Sequence, residues 1–487
     1  MRIRKLSAVS PFLPADPMTH NIQLYRSEFR MHILVINGSP KGKNSITLQT
    51  IRYLEILHPE HTFEVLHAGQ TIKALERDFS PAEELLQSAD CLLFSYPVYT
   101  FLAPCQLHRF LELLKAAKLP LAGKYATQLT TSKHFYDTTA HRYIQDNCAD
   151  LGLRYITGLS ADMDDLTTEK GRQEAESFFN HLIWSMEQGI FQPPSVEKAP
   201  FFPQPATVPP TAEGEKPGDV VIVADLTEED GNLRQMVERF QRQFPRKTRV
   251  VNIRQYPFRG GCLGCFGCAI TGKCVYNDGF DSYLREQIQT AEAIVYAFTL
   301  RDHSMGARFK MYDDRQFCNG HRTVTIGMPV GYLISGPYSR EMNVQTVLEA
   351  RAQVGSNFLA GIATDEKDPD SRIDALCKSL AYALEHKYLP PQNFYGIGGM
   401  KIFRDLIWLM QGMMQADHKF YKAHKQYDFP QKQWPRMLAM YAVGALMASP
   451  KLKAKAGSAM TDGMLMPYRK VLDAAQAQQN GKNPSGR

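Results

Sequence analysis

The sequence alternates short apolar, β-branched segments with segments of helical composition, and it does so twice. In the first half such strands are predicted at 32–37, 91–97 and, with more polar residues, 124–132, and in the second half at 219–226, 292–300 and 323–333. Strands that alternate with helices predict a parallel sheet covered by helices on both faces. Because the order of elements is the same in both halves, the sequence predicts an internal duplication.

A proline-rich segment separates the two halves. Eight prolines fall within residues 193–217, which excludes a helix or a central strand and favours an extended linker. The predicted organisation is an N-terminal extension at 1–30, an α/β domain at 31–190, a linker at 191–218, a second α/β domain at 219–392, a helical region at 393–475 and a disordered tail at 476–487.

The predicted helical region is rich in methionine at helical spacing. Examples are Met410, Met413 and Met414, followed by Met437 and Met440. Methionine is a flexible core residue, so packing against the second domain is the first interpretation. A wall over a redox site, a homodimer interface and a contact with a membrane surface remain open alternatives.

Composition excludes several classes of protein. The chain has 487 residues, of which 44% are hydrophobic and 22% charged, and its formal net charge is +6. No dense basic tract is interleaved with aromatic residues, so nucleic acid is not an expected partner. No apolar run is long enough for a membrane span or, within residues 1–30, for a signal peptide. No hydrolase motif is present.

Cysteine usage indicates metal chemistry in a reducing compartment. There are nine cysteines, and four of them fall within thirteen positions. An odd, clustered number of cysteines argues against a disulfide framework. We therefore expect a cytoplasmic protein.

The first turn of the first domain has the composition of an anion site. Gly38 and Gly42 permit unusual backbone conformations, and Ser39, Ser45 and Thr47 offer hydroxyl donors beside a helix start. The turn matches neither the nucleotide triphosphate motif nor the dinucleotide motif. Taken alone, the composition of this turn fits an ordinary loop as well as it fits an anion site.

Two further strand ends in the first domain support a ligand site. Pro97, Val98, Tyr99 and Phe101 follow one strand, and the segment 130–137 at the end of another carries small hydroxyls and aromatic rings. Ligands of open α/β sheets bind at the carboxyl ends of strands. A phosphorylated planar ring system fits this combination.

The segments NGSPKGKNS and PVYTFLAPCQLHRF resemble the NAD(P)H-dependent FMN reductases and iron–sulfur flavoproteins. The resemblance implies a flavodoxin-like doubly wound fold for both α/β domains, a C-terminal helical extension, FMN as cofactor and NAD(P)H as co-substrate. It departs from the family at His108 and Arg109, where many relatives carry a lysine. The residues that it implies for FMN are Gly38, Ser39, Pro40, Lys41, Gly42 and Ser45 at the phosphate, Pro97, Val98, Tyr99 and Phe101 beside the ring, and Thr131, Ser132 and Tyr136 at its other edge.

The second domain carries Cys262, Cys265, Cys268 and Cys274 in a glycine-rich segment with the spacing C-x₂-C-x₂-C-x₅-C. Structural zinc usually takes cysteine pairs on two separate knuckles, so a [4Fe–4S] cluster fits this compact spacing better. Zinc and a loop of thiols without metal remain alternatives. The spacing also resembles the iron–sulfur flavoprotein motif, which implies that these four cysteines bind the cluster and that the cluster lies near the flavin of the same or a partner subunit. Cys318 and Cys377 lie far from the motif and are interpreted as small buried hydrophobic residues.

The first turn of the second domain carries Glu228, Glu229 and Asp230 instead of the NGSP motif. Carboxylates repel a phosphate, and we interpret these three as caps for the following helix. One FMN in the first domain and one cluster in the second are therefore expected.

The leading hypothesis is an FMN-dependent oxidoreductase that passes electrons from NAD(P)H or another donor, through FMN and a [4Fe–4S] cluster, to an unidentified small-molecule or protein acceptor. An electron carrier without a substrate of its own is the alternative. A scaffold that has lost its flavin is a third hypothesis, against which the intact first turn argues.

Overall fold

A computed structural model describes residues 30–193, 200–211, 214–448, 465–466 and 468–478. The predicted N-terminal extension therefore lies, except for Arg30, outside the described residues, and so do parts of the linker and tail. One compact unit ends at Phe420 and another begins at Tyr421.

The first sheet has the predicted parallel, doubly wound topology. Its strand order is β2-β1-β3-β4-β5, with β6 also paired to β4, and every pairing is parallel. This is the flavodoxin-like order. The elements are β1 (His32–Asn37), α1 (Ile46–Leu57), β2 (Thr62–Leu66), α2 (Ala68–Leu75), α3 (Ser80–Ser88), β3 (Cys91–Pro97), α4 (Cys105–Ala117), β4 (Tyr125–Ser132), α5 (Asp137–Asp150), β5 (Arg154–Tyr155), β6 (Leu159–Asp162) and α6 (Glu169–Gln188).

The second sheet repeats that order as β8-β7-β9-β10-β11, again with parallel pairings throughout. Its elements are β7 (Val220–Ala224), α7 (Gly231–Gln243), β8 (Thr248–Asn252), α8 (Gly267–Thr271), α9 (Phe280–Tyr283), β9 (Ala293–Thr299), α10 (Gly306–Arg315), β10 (Pro329–Ser335), α11 (Met342–Val354), β11 (Phe358–Thr364) and α12 (Pro369–His386). The segment 323–333, predicted as one strand, begins as a turn, because Gly327 adopts φ +79° just before β10.

The helical region follows as α13 (Phe394–Leu409), α14 (Gln415–Ala423) and α15 (Trp434–Met447). The fold class is therefore two flavodoxin-like α/β domains with a helical C-terminal extension, as predicted. Among the helices that the structure describes, none is long and apolar enough to cross a membrane.

The two sheets share a core through their helices. Strands β1, β3, β7, β9 and β10 are almost entirely buried, and apolar side chains from both sheets belong to one contiguous cluster. Helix α4 of the first domain packs against α10 of the second, and α5 packs against α11. These contacts fix the carboxyl ends of the first sheet against loops of the second domain.

Candidate functional site

The turn at residues 38–45 is held by the side chain of Asn37, the last residue of β1. Its Nδ2 donates to the carbonyl of Gly42 at 2.9 Å, and its Oδ1 accepts the backbone N–H of Ser39 at 3.1 Å. Gly42 has φ +55°, and a Cβ there would lie 2.0 Å from Oε1 of Gln70 on α2. The predicted need for glycine at this position therefore has a physical cause.

Helix α1 begins at this turn without a side-chain cap. Ser45 is the N-cap residue and is 2% exposed, but its hydroxyl makes no capping hydrogen bond, and the first turn contains no acidic residue. The first amides of a helix have no partner inside the helix, and the helix dipole favours an anion there. The turn and the start of α1 therefore fit the phosphate of FMN.

The chain after β3 forms a tight loop at residues 97–102. Tyr99 and Leu102 exchange backbone hydrogen bonds at 2.8 and 3.1 Å, which forces Thr100 and Phe101 to φ +40° and +72°. Positive φ is strained for residues with a side chain, so surrounding contacts must hold this loop. Pro97, Val98, Tyr99, Thr100 and Phe101 all line the cavity described below.

The end of β4 contributes Thr131 and Ser132. Thr131 shares a hydrogen bond of 2.6 Å with Thr47 on α1, which joins the two predicted edges of the site. Tyr136 instead points to the C-terminal helices: its ring lies 4.6 Å from that of Phe101, and its hydroxyl donates to the carbonyl of Tyr395 at 2.5 Å. Tyr136 therefore positions Phe101 and does not line the cavity.

A single cavity of about 370 Å³ joins these elements to the second domain. Ser39, Lys41 and Ser45 of the turn line it, whereas Gly38, Pro40 and Gly42 do not. All four cysteines of the predicted cluster also line it: Cys262, Cys265, Cys268 and Cys274. The resemblance to iron–sulfur flavoproteins implies that the first turn and the cysteines, more than 200 positions apart, lie near each other, and both line this cavity.

The cysteine loop, residues 262–274, is anchored by a buried ion pair. Arg315 donates to both oxygens of Asp278, at 2.8 and 2.7 Å, and to the carbonyl of Gly260 at 2.9 Å. Both side chains are almost fully buried, and the guanidinium lies 4.4 Å from the ring centre of Tyr276. Its Nη2 is 4.0 Å from the sulfur of Cys274. The ion pair therefore fixes the last cysteine.

The thiols influence one another electrostatically. Burial raises the pKa of Cys268 to about 11, and the charges of Asp417, Cys265 and Cys274 add to this effect. Burial also raises the pKa of Cys262, with contributions from Cys268 and Cys265. Each of these contributions raises the pKa, so a cationic centre at this side of the cavity would be needed to stabilise the buried thiols as thiolates.

Within the described ranges, no three His, Cys, Asp or Glu side chains converge closely enough to hold a single metal ion. A [4Fe–4S] cluster takes one thiolate on each iron, so its ligands stand farther apart than those of one ion. The all-cysteine donor set fits such a cluster by its chemistry, and the structure provides no evidence of the cluster itself.

Cys318 is closer to the cavity than its place in the sequence indicates. It is buried as expected, but it also lines the cavity, and its pKa is raised by burial to about 12 with contributions from Cys274 and Cys268. Arg285 and Arg322 both donate to its carbonyl, at 2.8 and 3.3 Å. No local sequence signal connects Cys318 to a motif that ends at Cys274.

A loop of the second domain and α13 complete the cavity wall. His321 donates its backbone N–H and presents Nδ1 to Oδ2 of the buried Asp417, at 3.1 and 2.9 Å. The ring of Phe403 on α13 lies 4.9 Å from that of His321 and 4.3 Å from that of Phe135. Helix α13 therefore fits two of the interpretations of the helical region: it packs against α11 of the second domain and also forms a wall over the cavity.

The first turn of the second domain is not built as expected. Asp230 precedes α7 but makes no capping hydrogen bond, so the capping interpretation is wrong for this residue. Instead it accepts bonds from the N–H of Thr227 at 2.8 Å, the hydroxyl of Thr299 at 2.7 Å and the guanidinium of Arg301 at 3.1 Å. The carboxylate of Asp230 thus occupies the hydrogen-bond donors that an anionic ligand would need at this turn.

Residues 31–151 match the sequence profile of the family described as NADPH-dependent FMN reductase. The match covers about a quarter of the 487 residues and describes the first domain alone. No curated protein matches the sequence. The chain thus contains an FMN-dependent NAD(P)H oxidoreductase-like domain.

Several solved structures are similar to about a third of the chain. The apo form of an NADH:FMN oxidoreductase (EMOB) is 24% identical, with coverage of 32% of this chain and 89% of that chain and a TM-score of 0.28. An NADPH-quinone reductase from P. pentosaceus is 15% identical, with coverage of 31% and 98% and a TM-score of 0.26. The flavoenzyme FerB from Paracoccus denitrificans is 17% identical, with coverage of 31% and 97% and a TM-score of 0.25. Similarity of this degree carries no functional conclusion.

Proposed function

We propose that the chain is an FMN-dependent oxidoreductase that passes electrons from NAD(P)H, through FMN and a [4Fe–4S] cluster, to a separate acceptor. The observation that supports this proposal is the shared cavity, which is lined by the 38–45 turn, the 97–102 loop and all four clustered cysteines. FMN supplies the ability to accept a hydride and to release single electrons. A cavity that joins a proposed flavin site to a proposed one-electron cluster suits that chemistry.

In this proposal the residues that bind FMN lie at the carboxyl ends of three strands of the first domain, β1, β3 and β4. The amides at the start of α1, with Ser39, Lys41 and Ser45, would hold the phosphate. Pro97, Val98, Tyr99 and Phe101 would flank the ring, and Thr131 and Ser132 would close its edge. Gly38, Pro40 and Gly42 act through the backbone of the turn, and Tyr136 through Phe101.

The second domain would provide the cluster ligands Cys262, Cys265, Cys268 and Cys274. Their glycine-rich loop lies directly against the 97–102 loop: a Cβ on Gly264 would be 2.0 Å from the hydroxyl of Tyr99. We propose the cytoplasm as the compartment, because it keeps such thiols reduced. The domain limits predicted from the sequence are part of the same proposal.

The first test measures cofactors on the full chain purified without oxygen. We expect about one FMN and about four irons per chain. Ser45→Asp places a carboxylate at the start of α1 and should weaken FMN binding more than about tenfold. The matched control is Thr168→Asp, the same change at the N-cap of α6 away from the cavity, which should leave FMN binding unchanged. Equal effects of the two variants would contradict the phosphate site.

The second test separates the cluster from the other cysteines. Cys265→Ser should remove most of the iron and its broad visible absorption, whereas Cys377→Ser, in the core beside α7, should not. Iron content that is unchanged in Cys265→Ser would refute the cluster assignment.

The third test mixes the holoprotein with NADH or NADPH and follows the loss of flavin absorption. Rapid bleaching by either nucleotide is expected. Bleaching by neither would favour the alternative of an electron carrier without a nicotinamide site.

A further inference from the structure

The 97–102 loop is held in its strained conformation by the second domain. Lys310 of α10 donates its Nζ to the carbonyl of Tyr99 at 2.9 Å and to the hydroxyl of Thr100 at 2.7 Å. The Lys310 side chain is completely buried. An ammonium group is buried only where acceptors compensate for its desolvation, so these contacts define its position.

Asp314, one turn later on α10, completes the arrangement. It pairs with Lys310, accepts the hydroxyl of Thr100 at 2.7 Å, and accepts the backbone N–H of Cys105 at 2.8 Å. Cys105 is the first residue of α4, which follows the loop. The two side chains therefore fix the loop at Tyr99 and Thr100 and at the helix start behind it.

The second domain contains a loop of the same backbone geometry at residues 301–304. Arg301 and Ser304 exchange backbone hydrogen bonds as Tyr99 and Leu102 do, and Asp302 and His303 between them have φ +44° and +57°. There the first domain holds the loop: His108 of α4 contacts Asp302 at 2.8 Å, and Glu112 of α4 accepts the N–H of Ala307 at 2.8 Å.

The two arrangements differ in what their loops face. The 97–102 loop lines the cavity, whereas Arg301, Asp302 and His303 do not. Arg301 binds Asp230 instead, so the second loop lies beside a site already filled by a carboxylate. The interface between the two α/β domains therefore contains two loop contacts of similar geometry. Only the contact of α10 with the 97–102 loop reaches the proposed FMN site.

We propose that Lys310 and Asp314 are positioning residues for FMN, so that the second domain completes the flavin site of the first. This inference rests on the proposed function. Without the Lys310–Asp314 pair, Thr100 and Phe101 would leave their strained conformation, and the backbone beside the ring would move. The equivalent contact at Asp302 holds the domains together and leaves FMN unaffected.

The test is an equilibrium titration of the FMN-free full chain with FMN. Asp314→Asn and Lys310→Met should weaken FMN binding about tenfold or more, since each removes charge-assisted hydrogen bonds from the loop. Asp302→Asn breaks the matching contact and should change FMN affinity less than about twofold. Thr100→Val should behave like Lys310→Met, and Thr100→Ser, which keeps the hydroxyl, should restore affinity.

Two additional measurements separate positioning from folding. The double variant Lys310→Met/Asp314→Leu removes both charges of the pair and leaves Asp313 paired with Arg351, so it should be more stable to denaturant than either single variant and still bind FMN weakly. At saturating FMN, the visible spectrum and the midpoint potential of the bound flavin should shift in the Lys310 and Asp314 variants and not in Asp302→Asn.

The outcomes distinguish the two proposals. If the wild-type chain binds no FMN, the proposed function fails. If it binds FMN, and the Lys310 and Asp314 variants match Asp302→Asn in affinity, spectrum and potential, this inference is overturned.

Discussion

Asp278→Asn tests how the cysteine loop is stabilised. In the folded chain the Arg315 guanidinium is 1% exposed and makes a two-pronged contact with Asp278, at 2.8 and 2.7 Å. Aromatic rings surround it, with the centres of Tyr276 and Phe280 at 4.4 and 5.2 Å. An asparagine has the same shape but leaves the buried guanidinium without its counter-charge.

The expected loss can be worked out in two ways. Removing one partner of a buried ion pair typically costs about 3–5 kcal/mol. Burial works against ionisation of Asp278, but the hydrogen bonds and charge of Arg315, together with backbone N–H groups, outweigh it and lower the pKa from 3.8 to about 2. At 1.36 kcal/mol per pKa unit this corresponds to about 2 kcal/mol, part of which belongs to the backbone contacts. Asp278→Asn should therefore lower the free energy of unfolding by about 2–5 kcal/mol.

The assay is denaturant unfolding of the full chain, with Asp219→Asn as the matched control. Asp219 also makes a two-pronged contact with an arginine, Arg249, at 2.7 and 3.1 Å, but the side chains are 43% and 31% exposed. Such a pair contributes about 1 kcal/mol or less. Alkylation of Cys274 should also be faster in Asp278→Asn. Equal losses in the two variants would refute the claim that burial makes the Asp278 contact strong.

Three further predictions follow from single positions. Gly42→Ala should weaken FMN binding and destabilise the chain by about 1–3 kcal/mol in denaturant unfolding, because φ +55° is strained for alanine; an unchanged FMN affinity would contradict this. Burial opposes protonation of His303, but Asp150 and Glu341 outweigh it and raise its pKa from 6.5 to about 9. The protonated His303 should therefore stabilise the fold by at most about 3 kcal/mol, fully below about pH 6.5 and less and less as the pH rises through about 9. A free energy of unfolding that does not change across that pH range would count against the assignment. Gly264→Ala, also at positive φ, should displace Tyr99 and reduce the iron retained by the purified protein.

The elements of the fold were readable from local composition. The apolar, β-branched runs at 32–37 and 91–97 are β1 and β3 with the predicted limits, since a strand buried on both faces is a continuous apolar run. The predicted strand at 323–333 began too early, because apolar composition does not register the positive φ of Gly327.

The site was predictable only within each domain. The turn at 38–45 and the loop at 97–102 follow from the carboxyl ends of β1 and β3, where local sequence and sheet topology determine position. That the cysteines lie near this edge was expected from the family resemblance alone. The contact of Lys310 with Thr100 and the proximity of Cys318 depend on how the second domain packs on the first, which no local pattern showed. Packing between domains leaves no periodic signal in the sequence. Asp230 was misjudged for a similar reason: its partner Arg301 is 71 positions away.

The most direct test of the central claim is the number of FMN molecules that the FMN-free full chain binds at equilibrium. One FMN per chain is predicted, with binding strongly weakened by Ser45→Asp and unaffected by a substitution at the filled turn of the second domain, such as Glu229→Gln. A stoichiometry of zero, or of two, would contradict the assignment of a single flavin to the first domain.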